Sequence, residues 1–189
     1  MEKNLKTHVM KLSEEIGERN YVYYEELNKA ADYLTEEFKR YGYDPSAQEY
    51  TIDNRVFKNI IAVKEGKIKP EEIVIIGAHY DSVIGSPGAN DNGSAVAAML
   101  ELARMFSKVD TERTVKFIAF TNEEPPFYLT GQMGSRIYAK SARERGDDIK
   151  AMVSLETIGY YSEARNSQSY PFFYGLFYPD QANFIGVVG

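Results

Sequence analysis

Apolar residues recur three or four positions apart over residues 4–16. They do so again over 23–41, where Tyr24, Leu27, Ala31, Leu34 and Phe38 draw one stripe. That spacing predicts two helices, each with a single buried face. Gly42, with Pro45 soon after, is placed to end the second. The period then shortens. Residues 47–52 and 56–64 read as strands, the latter carrying Ile60, Ile61, Ala62 and Val63 in succession. A polar interval, 65–72, contains Gly66 and Pro70 and reads as a turn. Ile73, Val74, Ile75, Ile76, Gly77 and Ala78 follow as an unbroken apolar run, the pattern of a strand covered on both faces. Helical spacing returns over 93–107, with Val96, Met99, Leu100, Ala103 and Phe106 inward. A buried strand is then expected at 115–121, a helix at 135–144 and another buried strand at 151–155.

Strands alternating with helices in this way imply a three-layer α/β/α domain around a mostly parallel or mixed central sheet. No repeat or linker divides the chain, so residues 1–189 are expected to form a single domain. The tail after Tyr160 is aromatic and punctuated by Gly and Pro. It ends on Phe184-Ile185-Gly186-Val187-Val188-Gly189, which resembles a buried strand just beginning, so the domain is expected to be incomplete at its C-terminus. An unpaired apolar strand edge, prone to self-association, should result.

Charge narrows the partners. A formal net charge of −6 argues against nucleic acid, whose binding rests on Lys and Arg neutralising phosphates. It also disfavours an anionic membrane surface. The start Met1-Glu2-Lys3-Asn4 lacks a signal-peptide core, and no stretch approaches the ~20 apolar residues that span a bilayer. A soluble, cytoplasmic protein is the expectation. With no cysteine in the chain, any metal must be held by His and carboxylates. The 15 Tyr and 10 Phe, without Trp, suggest an aromatic-rich core.

Candidate chemistry gathers where the predicted strands end. The run 73–78 leads into His79-Tyr80-Asp81, the run 115–121 into Glu123-Glu124, and the run 151–155 into Glu156. Ligands in open α/β sheets bind outside the carboxyl ends of the strands, so these side chains should share one rim. Asp91, within Gly88-Ala89-Asn90-Asp91-Asn92-Gly93, stands at the entrance to the next helix. Any one of them is unremarkable in a chain with 28 acidic residues. Together they place one of only two histidines among several carboxylates, whose mutual repulsion needs a cation or protons to offset it.

The blocks Gly77-Ala78-His79-Tyr80-Asp81-Ser82, Gly88 to Ser94, Thr121-Asn122-Glu123-Glu124 and Met133-Gly134-Ser135 resemble the zinc aminopeptidase family, in the family's order and spacing. These are co-catalytic two-metal peptidases, related to glutamate carboxypeptidase-like enzymes and glutaminyl cyclases, with a phosphorylase/hydrolase-like fold. The resemblance covers roughly residues 20–165. It implies a zinc-dependent exopeptidase acting on peptides, most simply an aminopeptidase. His79 and Glu156 would each bind one metal, Asp91 would bridge two, and Glu124 would bind the second. Asp81 would fix the His79 tautomer from behind. Glu123 would be the general base toward the activated water. A cis peptide at Asp91-Asn92 is also implied.

The family's last metal-ligating histidine has no counterpart after His79. His8, on the first helix, reads as a surface imidazole. One metal is therefore expected to bind better than two, with weak or no peptidase activity in the chain as given. The competing readings are a catalytically silent binding domain on the same fold, a glutaminyl cyclase, and a carboxypeptidase using Arg136 or Arg165. The loop 125–130 either lines a side-chain pocket or is simply packed.

Overall fold

The computed structural model describes residues 1–170 and 172–189. Helix α1 (Glu2–Met10) runs on through a π-helical turn, Lys11–Ile16, and α2 spans Tyr24–Arg40. Strands β1 (Ser46–Ile52), β2 (Arg55–Lys64) and β3 (Lys69–His79) follow. A kinked turn, Ala89–Ser94, leads into α3 (Ala95–Phe106). Then come β4 (Arg113–Phe120), α4 (Gly134–Arg145) and β5 (Asp148–Ser154), with a short 3₁₀ turn at Phe172–Leu176.

Local chemistry explains the helix limits. Asn20 Oδ1 accepts the backbone N–H groups of Val22 and Tyr23 just ahead of α2. The acids Glu25 and Glu26 occupy its first turn and the bases Lys39 and Arg40 its last, complementing the helix dipole. Gly42, at φ +90°, closes it as the sequence predicts, while Tyr43 N–H returns to Phe38 O. The expected stripe is buried at Leu27, Ala31, Leu34 and Phe38.

The sheet order is β1-β2-β4-β3-β5. β1 and β2 form an antiparallel hairpin, and β2 runs antiparallel to β4. β4, β3 and β5 are mutually parallel, so their carboxyl ends lie on one edge. Alternation along β4 divides the core. Val115, Phe117 and Ala119 join α2 and α3, whereas Ile118 and Phe120 join Tyr138 and Ala142 of α4. Helices therefore cover both faces, and the three-layer mixed α/β/α expectation holds. Aromatic pairs, among them Phe57 with Phe127 and Tyr43 with Phe117, fill the larger cluster.

Four expectations are corrected. The polar interval 65–72 is a turn only at its start, because β3 begins at Lys69, opposite Arg113. β5 is exposed along its whole length, where a buried strand was expected. Among the described residues its only strand partner is β3, and none of its residues joins either core cluster. The run 184–189 is not a strand, and Val187 and Val188 are almost fully exposed. His8 is not on the surface: it is 1% exposed, enclosed where α1 meets α2. Among the described residues no helix is long and apolar enough to cross a membrane.

Candidate metal centre

The parallel strands bring the predicted residues together. β3 ends on His79, β4 stops three residues before Glu123, and β5 stops two before Glu156. His79 Nε2 lies 3.1 Å from Asp91 Oδ1, 3.6 Å from Glu156 Oε1 and 3.7 Å from Glu123 Oε2. On the far side of the ring, Nδ1 lies 3.4 Å from Asp81 Oδ1. Two donor sets are close enough to share an ion, His79 with Asp91 and Glu156, and His79 with Glu123 and Glu124. The sequence grouped Glu124 with Asp91 instead. The Asp91 charge still reaches Glu124, whose carboxyl is pushed up to about 7 by burial and then by that neighbour.

Asp81 acts on more than the imidazole. Its buried carboxylate accepts the backbone N–H of Glu123 at 3.2 Å and of Glu124 at 3.0 Å. One group thus stands behind His79 and fixes the loop that carries both glutamates. The loop beyond is partly packed and partly open. Phe127 is buried against Tyr21 and Phe57, while Tyr128 and Leu129 are exposed.

Asp91 sits in a backbone break rather than in a helix. Its φ/ψ is −102°/100°, the expected cis peptide to Asn92 is present, and its carboxylate lies 3.1 Å from His79 Nε2. Gly88, at φ +59°, opens this turn, and a Cβ there would stand 2.5 Å from Asp91 O.

Two supports escaped the sequence reading. Asn92, fully buried, donates from Nδ2 to Leu155 O and Glu156 Oε2, both at 3.0 Å. Its Oδ1 accepts the Thr157 N–H at 3.1 Å, so it clamps the Glu156 segment from both sides. Arg19, also fully buried, lies beneath the loop between His79 and Asp91. Its position far upstream of every motif left no pattern that could have marked it.

The electrostatics of the rim centre on His79. Burial alone would lower the His79 pKa, but Asp81, Asp91 and Glu156 outweigh it and push it up to about 12. Glu123 is raised, chiefly by burial, with Asp81, Glu156 and Asp91 adding to it. Asp91 is lowered by its contact with His79. Both His79 ring nitrogens are buried yet have no aligned hydrogen-bond partner. Buried polar atoms are almost always paired, so two ring nitrogens that lie 3.4 and 3.1 Å from carboxylate oxygens without hydrogen-bond alignment stand out. The donor set, one nitrogen with carboxylate oxygens, suits zinc. Asp91 and Glu156 are about half exposed, which leaves the rim open to an ion and a substrate.

The mixed α/β sheet thus presents one buried imidazole and a ring of carboxylates on its carboxyl edge, a donor set suited to a metal ion. Residues 59–176 match peptidase family M28, and the chain belongs to that family. It is 37% identical over 194 residues to the uncharacterized protein YfbL of Escherichia coli K12, covering 98% of this chain and 58% of that one. It is 45% identical over 93 residues to the aminopeptidase YwaD of Bacillus subtilis 168, covering 49% of this chain and 19% of that protein. The chain therefore spans less than two thirds of the length of either relative. Its fold matches the structure of BSAP, a zinc aminopeptidase from Bacillus subtilis, with a TM-score of 0.76 at 18% identity, covering 88% of this chain and 71% of that one.

Proposed function

We propose that this chain carries the metal centre of a zinc-dependent exopeptidase that releases N-terminal residues from peptides. The supporting observation is the buried His79, whose two unpaired ring nitrogens face carboxylates delivered by separate segments. In this reading His79, Asp91 and Glu156 hold one ion, and Asp91 with Glu124 holds a second, weaker one. Within residues 1–189 that second set has carboxylates alone. The chain's other histidine, His8, is engaged in the helical layer.

Bound divalent ions supply Lewis acidity, lowering the pKa of a water and polarising the scissile carbonyl. The protein's own groups do the rest. Glu123, its proton affinity raised by burial, accepts a proton from the attacking water and returns it to the departing amine. Asp81 keeps the His79 ring oriented and, through the two backbone N–H groups, keeps Glu123 aimed at the rim. The names borne by YwaD and BSAP favour the amino-terminal direction of attack.

Zinc titration of metal-stripped protein by calorimetry tests the centre: one tight site is expected, followed by a weaker one. Two equally tight sites would contradict the assignment of ligands. Hydrolysis of aminoacyl-anilide substrates by the parent and by Glu123→Ala tests the chemistry. Equal rates, even at long incubation, would show that the fold is a silent scaffold.

A further inference from the structure

Among the described residues Arg19 is the largest fully buried side chain, and its guanidinium forms no ion pair with them. Among them it bonds only to backbone carbonyls. Nε donates to Tyr80 O at 2.6 Å; Nη1 donates to Leu12 O at 3.1 Å, Gly17 O at 3.2 Å and Pro87 O at 2.6 Å; Nη2 donates to Gly88 O at 3.0 Å. Its own backbone pairs with Ser82 in both directions, N–H to Oγ at 3.1 Å and O from the Ser82 N–H at 2.9 Å. Tyr80 O lies between His79 and Asp81, whereas Pro87 and Gly88 begin the turn that presents Asp91. One planar fork therefore grips both ends of the loop that separates the imidazole from the bridging carboxylate.

Burying a cation this deeply is costly, and a purely structural clamp on carbonyls could be neutral. The location supplies a reason for the charge. Five rim carboxylates, Asp81, Asp91, Glu123, Glu124 and Glu156, exceed by one the four positive charges that two divalent ions bring. Arg19 supplies the fifth, and it remains cationic at neutral pH even though burial lowers its pKa to about 10. Gly88 has no side chain on the flank nearest the fork, where a Cβ would stand 3.2 Å from Nη2.

We infer that Arg19 is a positioning residue for metal binding: its fork sets the separation of His79 and Asp91, and its charge offsets the carboxylate ring from behind. This rests on the metal-centre reading above. It also ties the segment ahead of α2 to the site, since Leu12 O and Gly17 O hold the opposite side of the same guanidinium.

The test compares zinc affinity by competition with a chromophoric chelator, and the visible spectrum of the cobalt(II)-loaded protein, for the parent, Arg19→Lys and Arg19→Met. Folding of each is checked by near-ultraviolet circular dichroism. Lysine keeps the charge but cannot span Tyr80 O and Gly88 O together. Arg19→Lys is expected to lose zinc affinity by roughly 10–100-fold, the range for groups that orient ligands from outside the coordination sphere. Its cobalt bands should shift, and Arg19→Met, which lacks the charge as well, should lose at least as much affinity. A folded Arg19→Lys with zinc affinity within twofold of the parent and an unchanged cobalt spectrum overturns the inference, leaving the metal centre intact. If Arg19→Met does not fold, Arg19→Lys decides alone. A parent that binds no zinc overturns the metal-centre reading and this inference with it.

Discussion

The chain's two histidines are nearly equally hidden, at 1% exposure for His8 and 4% for His79, yet their surroundings are opposite. His8 is fully matched. Tyr41 gives its hydroxyl proton to Glu37 at 2.9 Å, so the His8 Nε2–H donates to Tyr41 at 3.1 Å and Nδ1 accepts from Tyr33 at 2.5 Å. A neutral ring satisfies every partner, and burial lowers its pKa. At the rim the same side chain finds no aligned partner and is ringed by carboxylates that hold it protonated without a metal. Burial alone thus does not mark a ligand. What distinguishes the two sites is whether the protein has completed the hydrogen-bonding of the ring or left it for something else to complete.

The strongest way to break this contrast is to delete each ring. His79→Ala should lower zinc affinity by more than about 100-fold, beyond the usual effect of a supporting residue, with the fold retained. His8→Ala should leave zinc binding within twofold but cost about 1–3 kcal/mol of stability, since it removes a buried ring and its hydrogen bonds with the Tyr33 and Tyr41 hydroxyls. Titration calorimetry and denaturant unfolding read the two effects separately, and a shared loss of zinc binding would erase the distinction.

A smaller effect separates the sites by pH. The His8 pKa is below its unfolded value of 6.5, so its contribution is present above that value and is lost as the pH falls. Glu124 is raised from 4.5 to about 7, so its contribution is present below 4.5 and is lost as the pH rises through about 7; His79, raised, acts in the same sense at higher pH. Metal-free protein should therefore weaken toward both ends, and zinc should remove only the alkaline weakening. Unfolding midpoints at about pH 5, 7 and 8.5, on either side of the Glu124 titration at about 7, with and without zinc, would show a single uniform slope if the contrast is wrong.

Asn92→Ala comes next. It frees the Glu156 segment and should weaken the first zinc site by about tenfold, while leaving the His8 pocket and its pH limb untouched. The smallest change is expected on β5. Met152→Lys, on that exposed strand, should alter stability by no more than about 0.5 kcal/mol. It should also reduce self-association seen by analytical ultracentrifugation. A large destabilisation would mean that the strand is covered.

Much of the site could be read before folding because its pieces are local. A strand's end, a glycine-flanked aspartate and a glutamate pair are each visible within a few residues, and α2 and α3 follow from a 3.6-residue period, with Gly42 closing α2. His8 was misread for the converse reason. Its satisfaction depends on Tyr33 and Tyr41, 25 and 33 residues away. The exposure of β5 likewise depends on sheet order, which an apolar run of Ala, Met and Val does not encode.

By itself, then, the sequence determined most of the elements, the mixed α/β layering and the identity of the residues at the rim, because periodicity and strand-end chemistry are short-range properties. Only the tertiary structure decided that Asp81 anchors the glutamate loop, that Asn92 clamps Glu156 and that Arg19 lies beneath His79 and Asp91. Those contacts join segments 42 to 69 residues apart, and a side chain's partners at such distances are set by how the layers pack rather than by any pattern along the chain.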